Sequence, residues 1–204
     1  MRRSTLIIFS LSFIVTVVLL GGCTSYNGMV KSEEAVDKAW ANVQASYQRR
    51  FDLIPSIVST VKGYAEHEKS TFQSVTNARA GLVTQGDSLV AMQKGLETFT
   101  PDGNGPSMSQ MEELAGKMSL YINAVHEAYP NLKANENFKD LQEQIESTEN
   151  RINTERNNYN EAVQTYNVRI RKFPGNIFAG LFGFDRKNPF SAAADAQTAP
   201  TVTF

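Results

Sequence analysis

The stretch QRRFDLIPSIVSTVKGYAEHE, Gln48–Glu68, mixes charged residues with apolar residues at regular intervals. Its arginines, aspartate, lysine, histidine and glutamates would suit an active site, but the same composition also suits one helix of a bundle. The apolar positions decide between the two, because they alternate steps of four and three from Val36 to Val75, well beyond the stretch itself. This spacing is typical of a helix that buries one stripe against other helices. The stretch therefore predicts a bundle segment.

Two further apolar runs with the same spacing extend from Met111 to Tyr129 and from Leu141 to Ile170. No window shows a convincing alternation of period two, so strands are not expected. We predict an all-α fold, a long antiparallel, up-and-down bundle of four helices. The predicted core positions include Val36, Trp40, Val43, Tyr47, Ile54, Val58, Val61, Met111, Met118, Val125, Ile152, Tyr166 and Ile170.

Three stretches rich in helix-breaking residues predict the connections. Residues 98–107, TFTPDGNGPS, contain two prolines and two glycines and should form a loop. Residues 129–138 should form a turn, because Pro130 disfavours helix at the preceding residue and Asn135 or Asn137 could cap the next helix. The last long helix should end at Phe173-Pro174-Gly175.

Pro55 leaves two possibilities for the corner between the first two helices. Asp52 could cap a new helix that tolerates Pro55 in its first turn, or one long helix could be kinked there. We take the break, which gives the four helices. The neighbouring charges Arg49, Arg50 and Asp52 are expected to pair with acids of the last helix. The candidates are Glu143, Glu146 and Glu149.

The N-terminus resembles an export signal. Arg2 and Arg3 precede an apolar run of 15 residues, Leu6–Leu20, which Gly21, Gly22 and Cys23 follow. As a helix the run would span about 22 Å, less than the roughly 30 Å of a bilayer core. The sequence LGGC at its end resembles a bacterial lipobox. We predict a signal peptide at residues 1–22 and lipidation of Cys23, with an uncleaved apolar anchor as the alternative.

The predicted signal peptide and lipidation site determine the predicted domain boundaries and the cellular location of the domain. Residues 23–30 would be a membrane-proximal linker, 31–184 the bundle and 185–204 a disordered tail rich in small residues. The basic start places the domain outside the cytoplasm, in the bacterial cell envelope, with a single-pass membrane protein as the alternative. Balanced charge, 20 basic against 21 acidic residues, argues against a nucleic-acid partner.

The sequence contains few residues in patterns that are typical of catalytic sites. The two histidines, His67 and His126, lack zinc-peptidase or Glu-x-x-His spacing, and no P-loop, GxGxxG or CxxC motif occurs. We therefore predict no catalytic, cofactor-binding or metal-binding residues, and a protein that is not an enzyme. The alternative is a hydrolase or metal-dependent enzyme that uses these histidines and nearby acids.

The segment FPGNIFAGLFGF, residues 173–184, is strongly apolar and contains two breakers of the preceding helix. Such a cluster either packs against the bundle or docks on a membrane or a partner protein. We favour packing, because the Pro-Gly break would let the chain fold back.

Taken together, these motifs resemble the LemA family. YNGMV, AVDKAWANVQASYQRRFDLIPSIVSTVKGYAEHE and VTNARA resemble its N-terminal half, and YPNLKANENFKDLQEQIESTENRI with RNNYNEAVQTYNVRIRKFPGNIFAGLFGF resembles its C-terminal half. The chain departs from the family at Ser56, where asparagine is common, and between Gly81 and Gly105, where the family is more continuously helical. The resemblance implies a membrane-tethered antiparallel helical bundle and supplies no agreed catalytic residues.

We therefore expect a non-enzymatic, membrane-anchored protein that acts as an interaction or structural bundle. Its expected partners are the membrane, through Cys23 or an uncleaved N-terminal helix, and unidentified envelope or membrane proteins.

Overall fold

The computed structural model describes residues 3–71, 77–97 and 107–190. Within these ranges every regular element is helical and no strand occurs, so the predicted all-α bundle class is confirmed. A short 3-10 turn, Pro130–Ala134, lies between the helices that end at Ala128 and begin at Glu136. The helices are α1 (Arg3–Phe51), α2 (Ile54–Thr71), α3 (Asn77–Glu97), α4 (Met108–Ala128), α5 (Glu136–Arg171) and α6 (Gly175–Phe182).

The corner at Pro55 is a break. Helix α1 ends at Phe51 and α2 begins at Ile54, so Pro55 falls in a first turn, where its missing N–H breaks no helical hydrogen bond. The carboxylate of Asp52 accepts a hydrogen bond of 2.9 Å from the Gln48 side chain, one turn earlier. The described ranges contain five long helices rather than the predicted four, because the segment after Pro55 forms both α2 and α3.

Caps and breakers end the helices largely where the sequence predicts. Asn135 Oδ1 accepts a hydrogen bond of 3.3 Å from the backbone N–H of Phe138, as predicted for the cap of α5. Helix α5 ends at Arg171, and the following Phe173–Pro174 peptide bond is cis. Most of the predicted loop at residues 98–107 lies outside the described residues, although Ser107 forms a capping box with Gln110 at the start of α4.

The glycine-containing segment that begins at Gly81 is helical to Glu97, so the expectation that it is less continuously helical than the family is wrong over this part. Gly86 allows two other helices to pack closely against α3, because a Cβ at this position would lie 2.9 Å from the hydroxyl of Tyr121 and 2.9 Å from Val58. The segment is thus a packed part of the bundle. Ser56, the other departure from the family, has an exposed side chain.

The chain divides into two compact units, residues 1–43 with 154–204 and residues 44–153. In the first unit α1 and α5 run antiparallel: Ser32 bonds to Arg169, while Trp40 packs on Tyr159 with ring centroids 5.5 Å apart. Residues 23–30, predicted as a linker, belong to the continuous helix α1. The core of this unit consists of Met29, Val36, Val163, Tyr166, Ile170 and Ala179.

The first unit also includes the chain after α6. Residues 185–190 lie in an extended path along α5 and are held by hydrogen bonds, such as the 2.9 Å bond from the Tyr166 hydroxyl to the Asp185 carbonyl. The packed domain therefore reaches Phe190 rather than the predicted Phe184. The rest of the predicted tail, residues 191–204, lies outside the described residues.

The second unit contains α2, α3, α4, the 3-10 turn and the adjoining parts of α1 and α5. Helices α3 and α4 run antiparallel, because Gly86 lies against Tyr121 and Met92 lies against Lys117. Its buried side chains come from four helices, and all of those named next except Phe138 lie on the predicted apolar stripes. They include Tyr47, Phe51, Ile54, Val58, Val61, Met111, Leu114, Met118, Val125, Phe138 and Ile152.

In the described part of the chain no helix is both long enough and apolar enough to cross a membrane. Most side chains of the apolar run Leu6–Leu20 lie outside the described residues, although its backbone belongs to α1. The prediction of a signal peptide or anchor at residues 1–22 stays a prediction.

Candidate functional site

The two histidines occupy different helices of the second unit. His126, on α4, is half-buried, where the amide of Gln142 hydrogen-bonds to its ring and the Phe138 ring meets it edge-on at 5.5 Å. His67, on α2, is exposed. Within the described ranges, no group of three or more His, Cys, Asp or Glu side chains is arranged to hold a metal ion. The contacts of His126 are those of a packed bundle residue.

Cys23 lies on α1, and its side chain is exposed. The residue before it, Gly22, is buried under Phe178 of α6, whose ring would lie 3.1 Å from a Cβ at that position. The structure thus places the only cysteine on the solvent side of a helix at the point where α6 packs. Its lipidation stays a prediction.

The predicted charge pairing at the Pro55 corner is observed for one pair. The buried guanidinium of Arg50 forms an ion pair with Glu149 of α5 and donates a 3.1 Å hydrogen bond to Ser119 of α4. A buried charge is tolerated only with such partners, because desolvation penalises it strongly. Arg50 therefore joins three helices of the second unit and has a structural role.

A cleft of about 480 Å³ opens between α3 and α4 in the second unit. Each helix contributes four residues with the spacing i, i+3, i+4 and i+7, which is one face of a helix. The apolar side chain of Leu120 is 69% exposed beside it, whereas Leu89 is buried at its base. The cleft is lined by Gln85, Ser88, Leu89 and Met92 of α3 and by Lys117, Leu120, Tyr121 and Ala124 of α4.

Tyr121 is the buried polar residue of this cleft. Its hydroxyl lies against Gly86 and has no hydrogen-bond partner in the described part of the chain. Burial, together with the nearby Tyr129 and Asp87, raises the pKa of the Tyr121 hydroxyl to about 12. The ring thus fills the gap that Gly86 leaves, and the phenol stays protonated at physiological pH.

A second apolar surface is the outward face of α6 in the first unit. Ala179 and Gly175 on the inner face are buried, and Phe178 is half-buried. The outer face is exposed, up to 73% for Leu181. The segment therefore packs on the first unit as predicted, while Phe173, Ile177, Leu181 and Phe182 stay exposed.

This α6 face lies beside the N-terminal part of α1. Phe178 contacts Gly22, and the ring of Tyr26 meets those of Phe182 and Phe184 edge-on, with centroids 5.0 and 5.6 Å away. Residues that follow the apolar N-terminal run and residues near the C-terminus thus form one aromatic cluster. Tyr26 is itself partly exposed.

Two asparagines hold the extended segment 185–190, and the sequence analysis missed them. The side chain of Asn167 accepts from the N–H of Lys187 at 3.1 Å and donates to its C=O at 2.7 Å, and Asn160 makes the same pair of bonds with Phe190. The signal lay in the dipeptide Tyr-Asn, which occurs at residues 159–160 and again seven residues later. A spacing of seven puts both dipeptides on the same helix face.

Lys187 adds an electrostatic contact to this segment. Its ammonium group pairs with Asp37 at 2.8 Å and with Glu33 at 3.3 Å, both on α1. Burial by itself would lower the pKa of Lys187, but the hydrogen bonds and charges of these two carboxylates outweigh it and raise the pKa. The segment is therefore attached to both long helices of the first unit.

The fold and its surfaces define a helical-bundle protein with exposed apolar faces and, in the described ranges, no metal-binding cluster. The model of the LemA family matches residues 39–204. This match covers most of the sequence, and the chain belongs to the LemA family.

The chain is also distantly similar to several curated proteins. The chain is 27% identical over 201 residues to magnetosome protein MamQ 2 of Paramagnetospirillum magneticum, covering 94% of this chain and 72% of that protein. It is 25% identical over 205 residues to magnetosome protein MamQ of Magnetospirillum gryphiswaldense, covering 96% and 74%. Protein LemA of Metamycoplasma hominis is 24% identical over 155 residues, covering 75% of this chain and 63% of that protein.

Proposed function

We propose that this chain is a membrane-anchored, non-enzymatic protein of the bacterial cell envelope that binds a helix of another envelope protein in the α3–α4 cleft. The cleft is the observation that carries the proposal. Its size is in the range of protein binding pockets, and its walls are two helix faces. A third helix laid between two helix faces is a common recognition mode, in which apolar side chains of the ligand serve as anchors.

The exposed apolar side chain of Leu120 supports this use of the cleft. An exposed leucine alone needs no explanation, but Leu120 lines the cleft together with the apolar side chains of Leu89, Met92 and Ala124. Covering these side chains would remove apolar surface from water, at roughly 25 cal/mol per Å² before the costs of association. Lys117 and Gln85 at the margin could form polar contacts with the partner helix.

The anchor in this proposal is the N-terminus. Lipid on Cys23 would hold the domain on a membrane, with the uncleaved segment 1–22 as the alternative anchor. Arg2 and Arg3 favour placement of the domain outside the cytoplasm. Relatives named as magnetosome proteins are consistent with a role in a cellular structure.

Site-specific photo-crosslinking in living cells tests the proposed cleft. A photoreactive amino acid in place of Leu120 should yield an adduct with an envelope protein, because this position borders the cleft. The matched control is Val168 of α5, another exposed apolar residue that does not line the cleft. Equal adducts from both positions, or none above background from Leu120, would overturn the proposal.

Substitution of both histidines tests the non-enzymatic part. In a deletion strain whose phenotype the parent chain rescues, the double variant His67→Gln, His126→Gln should rescue equally well when expressed at the same level. Loss of rescue with an intact fold, checked by circular dichroism of the purified protein, would favour catalysis through these residues.

A further inference from the structure

We propose that α6 is a membrane-surface helix, whose outward face inserts into the headgroup region of the same bilayer that holds the N-terminus. This inference rests on the membrane anchoring proposed above and goes beyond it, since it assigns the lipid surface as the ligand of a second, distant part of the sequence.

The composition of the segment fits a lipid surface. No charged residue occurs from Phe173 to Phe184, while Arg171 and Lys172 precede this run and Asp185 and Arg186 follow it. All three cationic side chains are exposed. Apolar and aromatic residues flanked by cations are typical of helices that lie in the membrane interface, where long basic side chains reach the phosphates.

The outward face is held in place before any membrane binds. A helix of eight residues is marginal by itself, so its form depends on packing. That packing comes from the inner face, where Gly175 and Ala179 are buried. Gly183 then ends the helix in the left-handed conformation, with φ of 76°. The exposed side chains Ile177 and Leu181 are therefore presented on a fixed support.

The position of α6 identifies the membrane as the occupant. Under either form of anchoring, the chain meets the bilayer between Leu20 and Cys23, as a lipid-modified cysteine or as the end of an apolar helix. In the lipidated form, which lacks residues 1–22, Cys23 begins the chain, and in the uncleaved form Gly22 lies within that interval and contacts Phe178 of α6. Tyr26, four residues or about 6 Å further along α1, contacts Phe182.

The anchor and the apolar face therefore belong to one continuous surface of the first unit. A helix docked there would reach about 5–10 Å into the headgroup boundary without crossing the bilayer. Tyr26 would lie at the same level, the depth at which tyrosine and tryptophan are enriched in membrane proteins.

Depth-dependent fluorescence quenching tests this assignment. The full chain, purified from membranes of the expressing cells, carries an environment-sensitive fluorescent amino acid at position 181, introduced by stop-codon suppression so that Cys23 is untouched. It is reconstituted into vesicles of phosphatidylcholine and phosphatidylglycerol whose acyl chains carry a nitroxide at a shallow or a deep position. The control places the same fluorophore at Asn157, an exposed residue of α5 about 21 Å from Arg171 along the helix.

We expect the fluorophore at position 181 to shift its emission to the blue on reconstitution and to lose more intensity to the shallow nitroxide than to the deep one. The fluorophore at Asn157 should show neither change. With Ile177→Asp in the same chain, quenching at position 181 should fall although the protein still floats with the vesicles, because Ile177 is exposed in the fold and its loss leaves the core intact.

The outcomes separate this inference from the proposed anchoring. A chain that floats with the vesicles while position 181 stays unquenched overturns the α6 assignment alone. A chain that does not associate with vesicles overturns the anchoring and this inference with it. Stronger quenching by the deep nitroxide would also contradict a surface helix.

Discussion

Arg50 illustrates how one residue of the most distinctive stretch determines a corner of the fold. Its side chain and that of the neighbouring Phe51 are both buried. An arginine can take such a place only when its charge is compensated. Glu149 supplies the charge and Ser119 a further acceptor, so three helices depend on one guanidinium.

Replacement of Glu149 by glutamine should therefore be costly. Breaking a fully buried pair costs about 3–5 kcal/mol, and because Glu149 is half-exposed we expect about 2 kcal/mol. The midpoint of urea unfolding of the purified full chain should fall accordingly. The control is Asp87→Asn, which breaks an exposed pair with Lys62 and should cost less than about 1 kcal/mol. Equal losses for both variants would contradict the role assigned to Arg50.

Tyr121 leads to a prediction at alkaline pH. Its pKa rises from 10.0 to about 12 on folding, so the folded state holds this proton more tightly than the unfolded state does. Its contribution to stability is therefore complete below pH 10 and is lost as the pH rises from 10 towards 12. Tyr121→Phe should remove this part of the alkaline destabilisation.

At neutral pH, Tyr121→Phe should change the free energy of unfolding only slightly. The Tyr121 hydroxyl has no hydrogen-bond partner in the described part of the chain, so its removal leaves no other group unpaired. Unfolding free energies of variant and parent are to be compared from pH 8 to pH 12. Parallel curves across that range would show that the phenol is not perturbed in the way the structure implies.

At the scale of elements, the segment 185–190 shows how a stretch without regular structure is bound to a helix. Backbone groups that would otherwise face water are paired with the amides of Asn160 and Asn167, each of which offers both a donor and an acceptor. Tyr159 contributes a further hydrogen bond of 3.2 Å to the Asn188 carbonyl. The pairing replaces the hydrogen bonds of a strand or helix.

Replacing both asparagines by alanine should release the segment. The amides of Lys187 and Phe190 should then exchange with deuterium at rates close to those of an unfolded chain, while amides in the middle of α5 keep their protection. Asn157→Ala, on the same helix but away from the segment, serves as the control. Unchanged protection at both amides in the double variant would contradict the proposed attachment.

The elements also show what could be read from the sequence. Periodicity predicted the buried stripes, and the breakers predicted the ends near Phe51, Tyr129 and Arg171, because burial and capping are encoded locally. The path of residues 185–190 was not predicted, since this short, mostly charged and polar segment has no periodicity of its own and is held by distant partners on α1 and α5. The glycines of α3 led to the wrong expectation of a less helical segment for the same reason. Gly86 allows Tyr121 and Val58 to approach closely, and this contact between helices is not visible in the sequence.

For the candidate sites, the sequence indicated which residues form ion pairs or apolar surfaces, but it did not indicate where the helices leave a cleft. It predicted the pairing of Arg50 with an acid such as Glu149, and it singled out the apolar segment that forms α6. The cleft between α3 and α4 could not be predicted, because it depends on which faces of two helices are left uncovered after packing. Periodicity identifies the face of a helix that is buried, but it does not identify a face that is left uncovered after packing.

For the molecule as a whole, both the proposed helix binding at a membrane and the proposed docking of α6 depend on attachment to a membrane through the N-terminus. The helix-binding cleft would then act at a membrane, and α6 would dock on that same membrane beside the anchor. Family membership fixes the class of protein, whereas the proposed anchor would determine where its surfaces operate.

Metabolic labelling with radioactive palmitate, combined with membrane fractionation, tests that attachment most directly. The parent chain should carry label and sediment with membranes in high salt, and Cys23→Ala should lose the label. An unlabelled parent that still sediments would select the uncleaved anchor in place of lipid. A parent chain found in the soluble fraction, without label, would contradict membrane attachment and with it the proposed action at a membrane.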